Sequence, residues 1–538
     1  MAESIDDLID RYLVERWREY PVAATSVGID GHDDQLTDYS LDAIHRRHGL
    51  EDTWLSRFAA IGNDGLTLDQ QIDRDLIVST LRGMQIMRDW EVWKRDPATY
   101  LGPGLTGVFV LFLHRIKPER ELADAAVARL RAVPALLEQG KSHLDPSLAS
   151  PIFIERAIGQ CRAGITYARA LVPAEVSDPA DRARLAEAGE VAARAYESFL
   201  EFLTELLSAA SGPFAIGEER YSAMLLEKEK LSYGAREMRE RGREAFSDLD
   251  AEMAQRALDM KGTKDWRAVL EELHADHPTT PEAMRDAYED WTERARRFTL
   301  DRNLVTMPDG ERCLVEPSPP FQRPVLAVAS YSSPPAFKPS LTGHFFVPFP
   351  PEGTSEADIQ KRLQTNSYTI IPTIAVHEAY PGHHWHLITM QANERPVRKV
   401  LSTSYFTEGW GLYTELMMRE EGFYDDPKHE LGVSDARIFR AARIVVDTSL
   451  HIGDMGVEEA VQFMMDATGF TEPTARAEVG RYCSWPTQAS SYLTGSLEIE
   501  RMRKRYLAEG RGDLRSFHDR LAGSGALPIG LAERALMG

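Results

Sequence analysis

Cysteine is scarce in this chain. Cys161, Cys313 and Cys483 are the only three in 538 residues. They lie far apart and form no CxxC pair, which argues against a disulfide framework and against a thiolate zinc site, and for a reducing compartment. Long apolar runs are missing too. Nothing approaches the ~20 residues that a bilayer-spanning helix needs. The opening stretch MAESIDDLIDRYL is acidic and lacks the basic and apolar regions of a secretory signal. Positive charge is in deficit: 62 Lys and Arg stand against 84 Asp and Glu, a net charge of −22 with a pI near 5.2. Such a chain repels phosphate backbones and anionic lipid, so composition speaks against nucleic-acid and membrane partners. The prediction is a cytoplasmic protein whose partner is a small molecule or peptide.

What is present is helix. Segments near 5–20, 68–96, 118–140, 152–173, 179–210, 233–262 and 281–298 carry apolar residues at helical spacing. They are rich in Ala, Leu, Glu and Arg, which are strong helix formers. No fixed-period repeat is evident. Between about 300 and 355 the character changes to Pro, Ser, Phe and Val, and Pro is expelled from helix interiors. Val325–Ser330 and Gly343–Phe349 are the expected strands of a small sheet within 323–350. Helices resume at about 367, and a basic helix, Glu498–Tyr506, lies near the end. The predicted fold is mainly α, with a helical lobe over 1–300 and a sheet-plus-helix lobe over 301–538, which could equally be one continuous domain.

The informative stretch is PTIAVHEAYPGHHWHLITM, residues 372–390. It holds His377, Glu378, His383, His384 and His386, whereas the whole chain has fifteen histidines. In the helical zinc motif HExxH, two histidines four apart share a face and the intervening Glu serves as general base. Here Pro381 stands where the second histidine would be. A straight helix would leave His377 and His384 about 10.5 Å apart in rise, too far for one ion. A break at Pro381-Gly382 is therefore required, and it could return either His383 or His384 to the first histidine. A third ligand should be a carboxylate on a nearby helix. SYFTEGWGLYTEL offers Glu408 and Glu415, seven apart on one apolar face. A buried carboxylate needs a partner, and a metal is one kind. Glu408 is the expected ligand, and Glu415 competes for that role or serves as the acceptor for a ligand imidazole; His384 and Asp447 are further candidates for either part.

The pairing of HEAYPGHH with EGWGLYTE resembles the bacterial family catalogued as domain of unknown function 885. Further likenesses are SYSSPPAFKPSLTGHFFV before the histidines, ARIVVDTSLH and PTQASSYLTG after them, and Pro21, Ala24, Thr25 and Gly28 near the start. At a remove the arrangement is similar to the gluzincin peptidases, the clan of thimet oligopeptidase and angiotensin-converting enzyme. That likeness implies a helical, channel-containing architecture, one zinc per chain and a third Glu some two dozen residues downstream. It also favours His383 over His384, because Gly382-His383 matches the Gly-His that often closes the gluzincin motif.

A hydrolase needs more than its metal. Asp447 and His451, one helical turn apart, could form a carboxylate-oriented imidazole, although a plain i,i+4 polar pair is as common. The Tyr492 phenol could donate to a developing oxyanion; a core tyrosine is the alternative. Arg503 could hold a substrate carboxylate, as could Arg501, Arg440 or Arg443, and a solvated basic helix is the plainer reading. Tyr331 and His344 could line a sheet edge against an extended substrate. The expected chemistry is Glu378-assisted hydrolysis of an amide in a short peptide, at a zinc held by His377, His383 and Glu408. The alternatives are a metal-dependent hydrolase of a non-peptide amide or ester, and a non-catalytic helical metal-binding or interaction protein.

Overall fold

The computed structural model describes residues 4–319, 323, 328–351 and 353–538. It is mainly helical with one three-stranded sheet. Helix starts follow local chemistry. Ser4 accepts from the Asp7 N–H ahead of Ile5–Glu19. Thr67 and Gln70 form a reciprocal capping box on Leu68–Asp89. Asp178 takes the N–H groups of Ala180 and Asp181 at the head of Pro179–Ala209. Each satisfies donors that a first turn leaves without intrahelical partners. Leu41–Ala59 and Ala98–Leu113 are helices that the sequence reading passed over. The second contains Pro103, which costs a helix about 3 kcal/mol. Burial of Tyr100, Leu101, Val108, Leu111 and Phe112 on that segment outweighs it, at roughly 1.5–3 kcal/mol for each large apolar side chain.

Packing divides the chain into two compact units. One runs to Ile216 and takes in Pro335–Pro339; the other holds Gly217–Pro334 and Ser340–Gly538. The division therefore falls some 80 residues before the boundary at 300 that composition suggested. Composition misleads here because Ala235–Lys261 resembles the earlier helices but packs along Pro427–Ile452. A Cβ on its Gly242 would come within 2.6 Å of Ile444.

In the first unit the Pro21, Ala24, Thr25 and Gly28 pattern has a packing reason. Pro21 opens the short helix Pro21–Val27, and Gly28 closes it with φ +85°. A Cβ on Gly28 would also meet Lys338 at 2.8 Å. Thr25 accepts from the fully buried Arg129 at 2.7 Å. The same guanidinium donates to the carbonyls of Gln35, His32 and Gly107. Burial of this cation is tolerated because acceptors surround it.

In the second unit the sheet comprises β1 (Arg312–Pro317), β2 (Ser330–Ser332) and β3 (Thr342–Val347). The strand order is β1-β3-β2, with β1 parallel and β2 antiparallel to β3. The expected strand at Gly343–Phe349 is present one residue earlier and ends at Val347. Of the other expected strand, 325–327 lie outside the described residues and pairing begins at Ser330. Sequence reading missed β1, whose RCLVEP segment is short and lacks alternation.

Candidate metal centre

The His377 helix (Ile371–Glu378) opens on Pro372 in its first turn, a position that needs no N–H. Its apolar residues Ile371, Ala375 and Val376 are buried. The helix stops at Ala379, the Tyr380–Pro381 peptide is cis, and a second helix begins at His383. Gly382 makes the turn possible. A Cβ there would lie 2.0 Å from the His377 carbonyl oxygen and 2.2 Å from that of Val376. Without a side chain the backbone folds over the end of the first helix, and the His383 ring arrives beside that of His377, centroids 4.6 Å apart.

The Glu408 helix (Ser404–Glu420) supplies the rest, and its glycines explain the EGWG motif. A Cβ on Gly411 would sit 2.6–2.8 Å from three atoms of the His377 ring. A Cβ on Gly409 would meet Gly495 Cα at 2.5 Å, where the helix crosses Ser491–Ala508. One glycine admits the imidazole and the other admits a neighbouring helix. Between them Trp410 donates from Nε1 to the Pro381 carbonyl at 2.9 Å and stacks on Trp385, so it holds the helix break in place.

The result is a convergence of three ligand atoms. One Glu408 oxygen lies 3.6 Å from His377 Nε2 and 3.5 Å from His383 Nε2. All three ligand atoms fall within 4.8 Å of one another. Donors held about 2.0–2.2 Å from one tetrahedral ion stand roughly 3.3–3.6 Å apart, so two of the three separations already match. Glu415 accepts from His377 Nδ1 at 2.7 Å and from the Thr373 hydroxyl at 2.7 Å. That bond puts the proton on Nδ1 and turns the Nε2 lone pair toward Glu408. Acceptors facing one another in a buried place require a cation or a proton between them. Burial pulls the His377 pKa down, but hydrogen bonds to Glu408 and Glu415 prevail and hold it up at about 10. Burial pushes Glu408 the other way; its two imidazole neighbours win and keep its carboxyl well below the usual range. The donor set of two imidazoles and one carboxylate fits zinc.

His384 takes a different part from its neighbour. It is fully buried, donates from Nε2 to Glu311 at 2.8 Å and accepts at Nδ1 from the Tyr331 hydroxyl at 2.9 Å. Glu311 also receives Tyr380 and, at 2.8 Å, Arg296. Burial raises the Glu311 carboxyl, but these donors prevail and lower it. His384 thus anchors the loop before β1 and β2, and Tyr331 is tied to it. Glu311 carried no signal in the sequence; only the fold brings it here. His386 is also buried and lies against Phe406 and Trp410, with burial lowering its pKa to about 3.

Glu378 follows His377 directly. Burial lifts its carboxyl above the ordinary range, with His383 and His377 pulling against that rise. Tyr492 lies on the crossing helix Ser491–Ala508, and burial and the Glu408 charge both raise its phenol. Four other expected side chains are engaged elsewhere. His451 and Asp447 do not hydrogen-bond; their closest approach is 3.8 Å. His451 donates instead to the Tyr482 carbonyl at 3.0 Å, and Asp447 accepts from Tyr221 at 2.6 Å. The two lie four apart on one helix, yet each has a better-aligned partner on another element. Arg503 pairs with Glu420 at 2.6 Å and lies over the Tyr413 ring. On β3, His344 is bonded to Glu316 at 2.8 Å.

Fold and site together define a mainly helical protein with a His-His-Glu cluster, able to hold a metal ion, built across a broken helix. The chain matches the family described as "Bacterial protein of unknown function (DUF885)" over residues 21–536, and it belongs to that family. Two solved structures share the fold. One is "a putative lipoprotein of unknown function from Shewanella oneidensis", 20% identical with a TM-score of 0.81 over 100% of both chains. The other is "the putative lipoprotein from Colwellia psychrerythraea", 21% identical with a TM-score of 0.81 over 99% of this chain and 98% of that one. No curated protein matches the chain. No helix among the described residues is long and apolar enough to cross a membrane.

Proposed function

We propose that this protein is a zinc-dependent hydrolase that cleaves amide bonds of short peptides. The observation that carries the reading is the approach of His377, His383 and Glu408 to within 4.8 Å, with Glu415 orienting the first imidazole. His377, His383 and Glu408 would hold the ion. When bound, zinc supplies a Lewis acid that polarises a carbonyl and acidifies water. The remaining work belongs to the chain. Glu378, adjacent to the ligands and with its carboxyl raised by burial, accepts the proton of the attacking water and passes it to the departing amine. Tyr492 would donate its phenolic proton to the developing oxyanion.

Purified protein carrying about one zinc per chain, and hydrolysing blocked short peptides, would meet the proposal. Activity on small esters or non-peptide amides alone would shift the substrate class. Absence of stoichiometric metal after zinc supplementation would leave a helical scaffold without this chemistry. The cytoplasmic reading rests on three cysteines that form no disulfide. The two similar structures carry a lipoprotein description, so cell fractionation is the deciding measurement.

A further inference from the structure

The helix Pro427–Ile452 carries three arginines at helical spacing, Arg437, Arg440 and Arg443. Arg437 pairs with Glu500 at 2.9 Å, and Arg443 with Glu478 at 2.9 Å and with the Tyr482 hydroxyl at 3.1 Å. Arg440 between them has no ion pair among the described residues. Its single hydrogen bond runs to the Ala436 carbonyl of its own helix at 3.2 Å, and its Nε is fully buried with no acceptor. The carboxylate that feels its charge is Asp435, on the same helix and outside ion-pair distance. A guanidinium has five N–H donors in a planar fork, so most of this one is unspent. In a chain of net charge −22, a half-buried cation left without an anion is conspicuous.

Its position gives it a use. The Arg440 guanidinium carbon lies 5.7 Å from the centre of the Tyr492 ring, and that of Arg443 lies 5.0 Å from it. The phenol of the same ring feels the charge of Glu408. Tyr492 stands one turn before Gly495, where its helix meets that of Glu408 at Gly409, so one ring is near both a metal-ligand candidate and an uncommitted guanidinium.

We propose that Arg440 receives the free carboxylate of the substrate, so that bonds near the C-terminal end of a peptide are the ones cleaved. This rests on the hydrolase reading for its catalytic meaning, but the carboxylate site is tested without turnover. The probes are N-benzoylglycine and its C-terminal amide, titrated calorimetrically into the full chain as purified and again after chelator treatment. The acid binds about 10-fold tighter than the amide in both states, as a bidentate charged pair requires. Arg440→Gln brings the acid down to the affinity of the amide, and Arg440→Lys retains part of the preference, because a point charge replaces the fork. Equal affinity of acid and amide, including no binding of either, overturns the proposal. So does a preference that survives Arg440→Gln, or one that vanishes on chelation and so belongs to the metal. Should Arg440→Gln fail to fold, the comparison of acid with amide in the unaltered chain still decides. If the Arg440-dependent preference persists while no amide is hydrolysed with zinc present, the hydrolase reading falls and the carboxylate site stands.

Discussion

His383 and His384 are adjacent in sequence and face opposite duties. His383 Nε2 points at Glu408, whereas both nitrogens of His384 are occupied by Glu311 and Tyr331. Replacing His383 by Ala should therefore abolish zinc uptake with little change in melting temperature of the metal-free protein. Replacing His384 by Ala should leave zinc stoichiometry near one and cost stability, about 1–3 kcal/mol for stranding a buried charged partner. Metal analysis and thermal melts on the two variants separate these outcomes; the reverse pattern would exchange the roles. Glu378→Gln should keep the metal and lower turnover by roughly 10²–10⁴-fold, the usual worth of a general base. Glu415→Gln should weaken zinc binding about 10–100-fold through loss of the bond that orients His377, read by competition with a chromogenic chelator. Sequence spacing made the histidine cluster, Glu408 and Glu415 legible because each sits on a local motif. It did not distinguish His383 from His384, since that depends on Glu311, a residue 72 positions before His383.

Between elements, small residues decide the architecture of the site. Gly411 leaves room for the His377 ring and Gly409 for the crossing at Gly495. Gly411→Ala should cost about 1–3 kcal/mol by overpacking and displace His377, so a melt and a zinc titration should both register it. The crossing also carries a polar network: Tyr221 and Tyr405 both reach Ser490 at 2.9 Å, and Tyr221 donates to Asp447. Burial raises Asp447 to about 7. A carboxyl with its folded pKa above the unfolded value of about 3.9 favours the fold fully only below that value. Its contribution is lost as pH rises from about 4 through 7. Asp447→Asn keeps an acceptor for Tyr221 and removes the titration. The melting temperature of the variant should therefore gain on that of the unaltered protein between pH 4 and pH 8; a constant difference would refute the assignment. The expected contact with His451 failed because spacing on one helix says which residues are near, not which partner offers better alignment.

For the molecule as a whole, metal should act as a folding ligand. At free zinc 100-fold above its dissociation constant, binding adds about 2.7 kcal/mol to stability, so chelation should lower the melting temperature, and zinc should restore it. A melt insensitive to chelator and zinc would contradict a site formed only in the folded state. The division into units shows the limit of composition at this scale. Ala235–Lys261 has the amino-acid usage of the early helices, yet it belongs with the unit that builds the site.

What the sequence by itself determined is what short-range physics governs: the helical class, the helix caps, the expulsion of helix around 300–350, and the break at Pro381-Gly382 beside a histidine cluster. These depend on propensity, backbone freedom and spacing within a few turns. Only the tertiary structure decided which histidine meets Glu408, that Glu311 claims the other, that Asp447 turns to Tyr221 rather than to His451, and that Arg440, unlike Arg437 and Arg443, has no ion pair among the described residues. Those outcomes depend on contacts between residues tens to hundreds of positions apart, where the partner is chosen by packing and no local pattern records the choice.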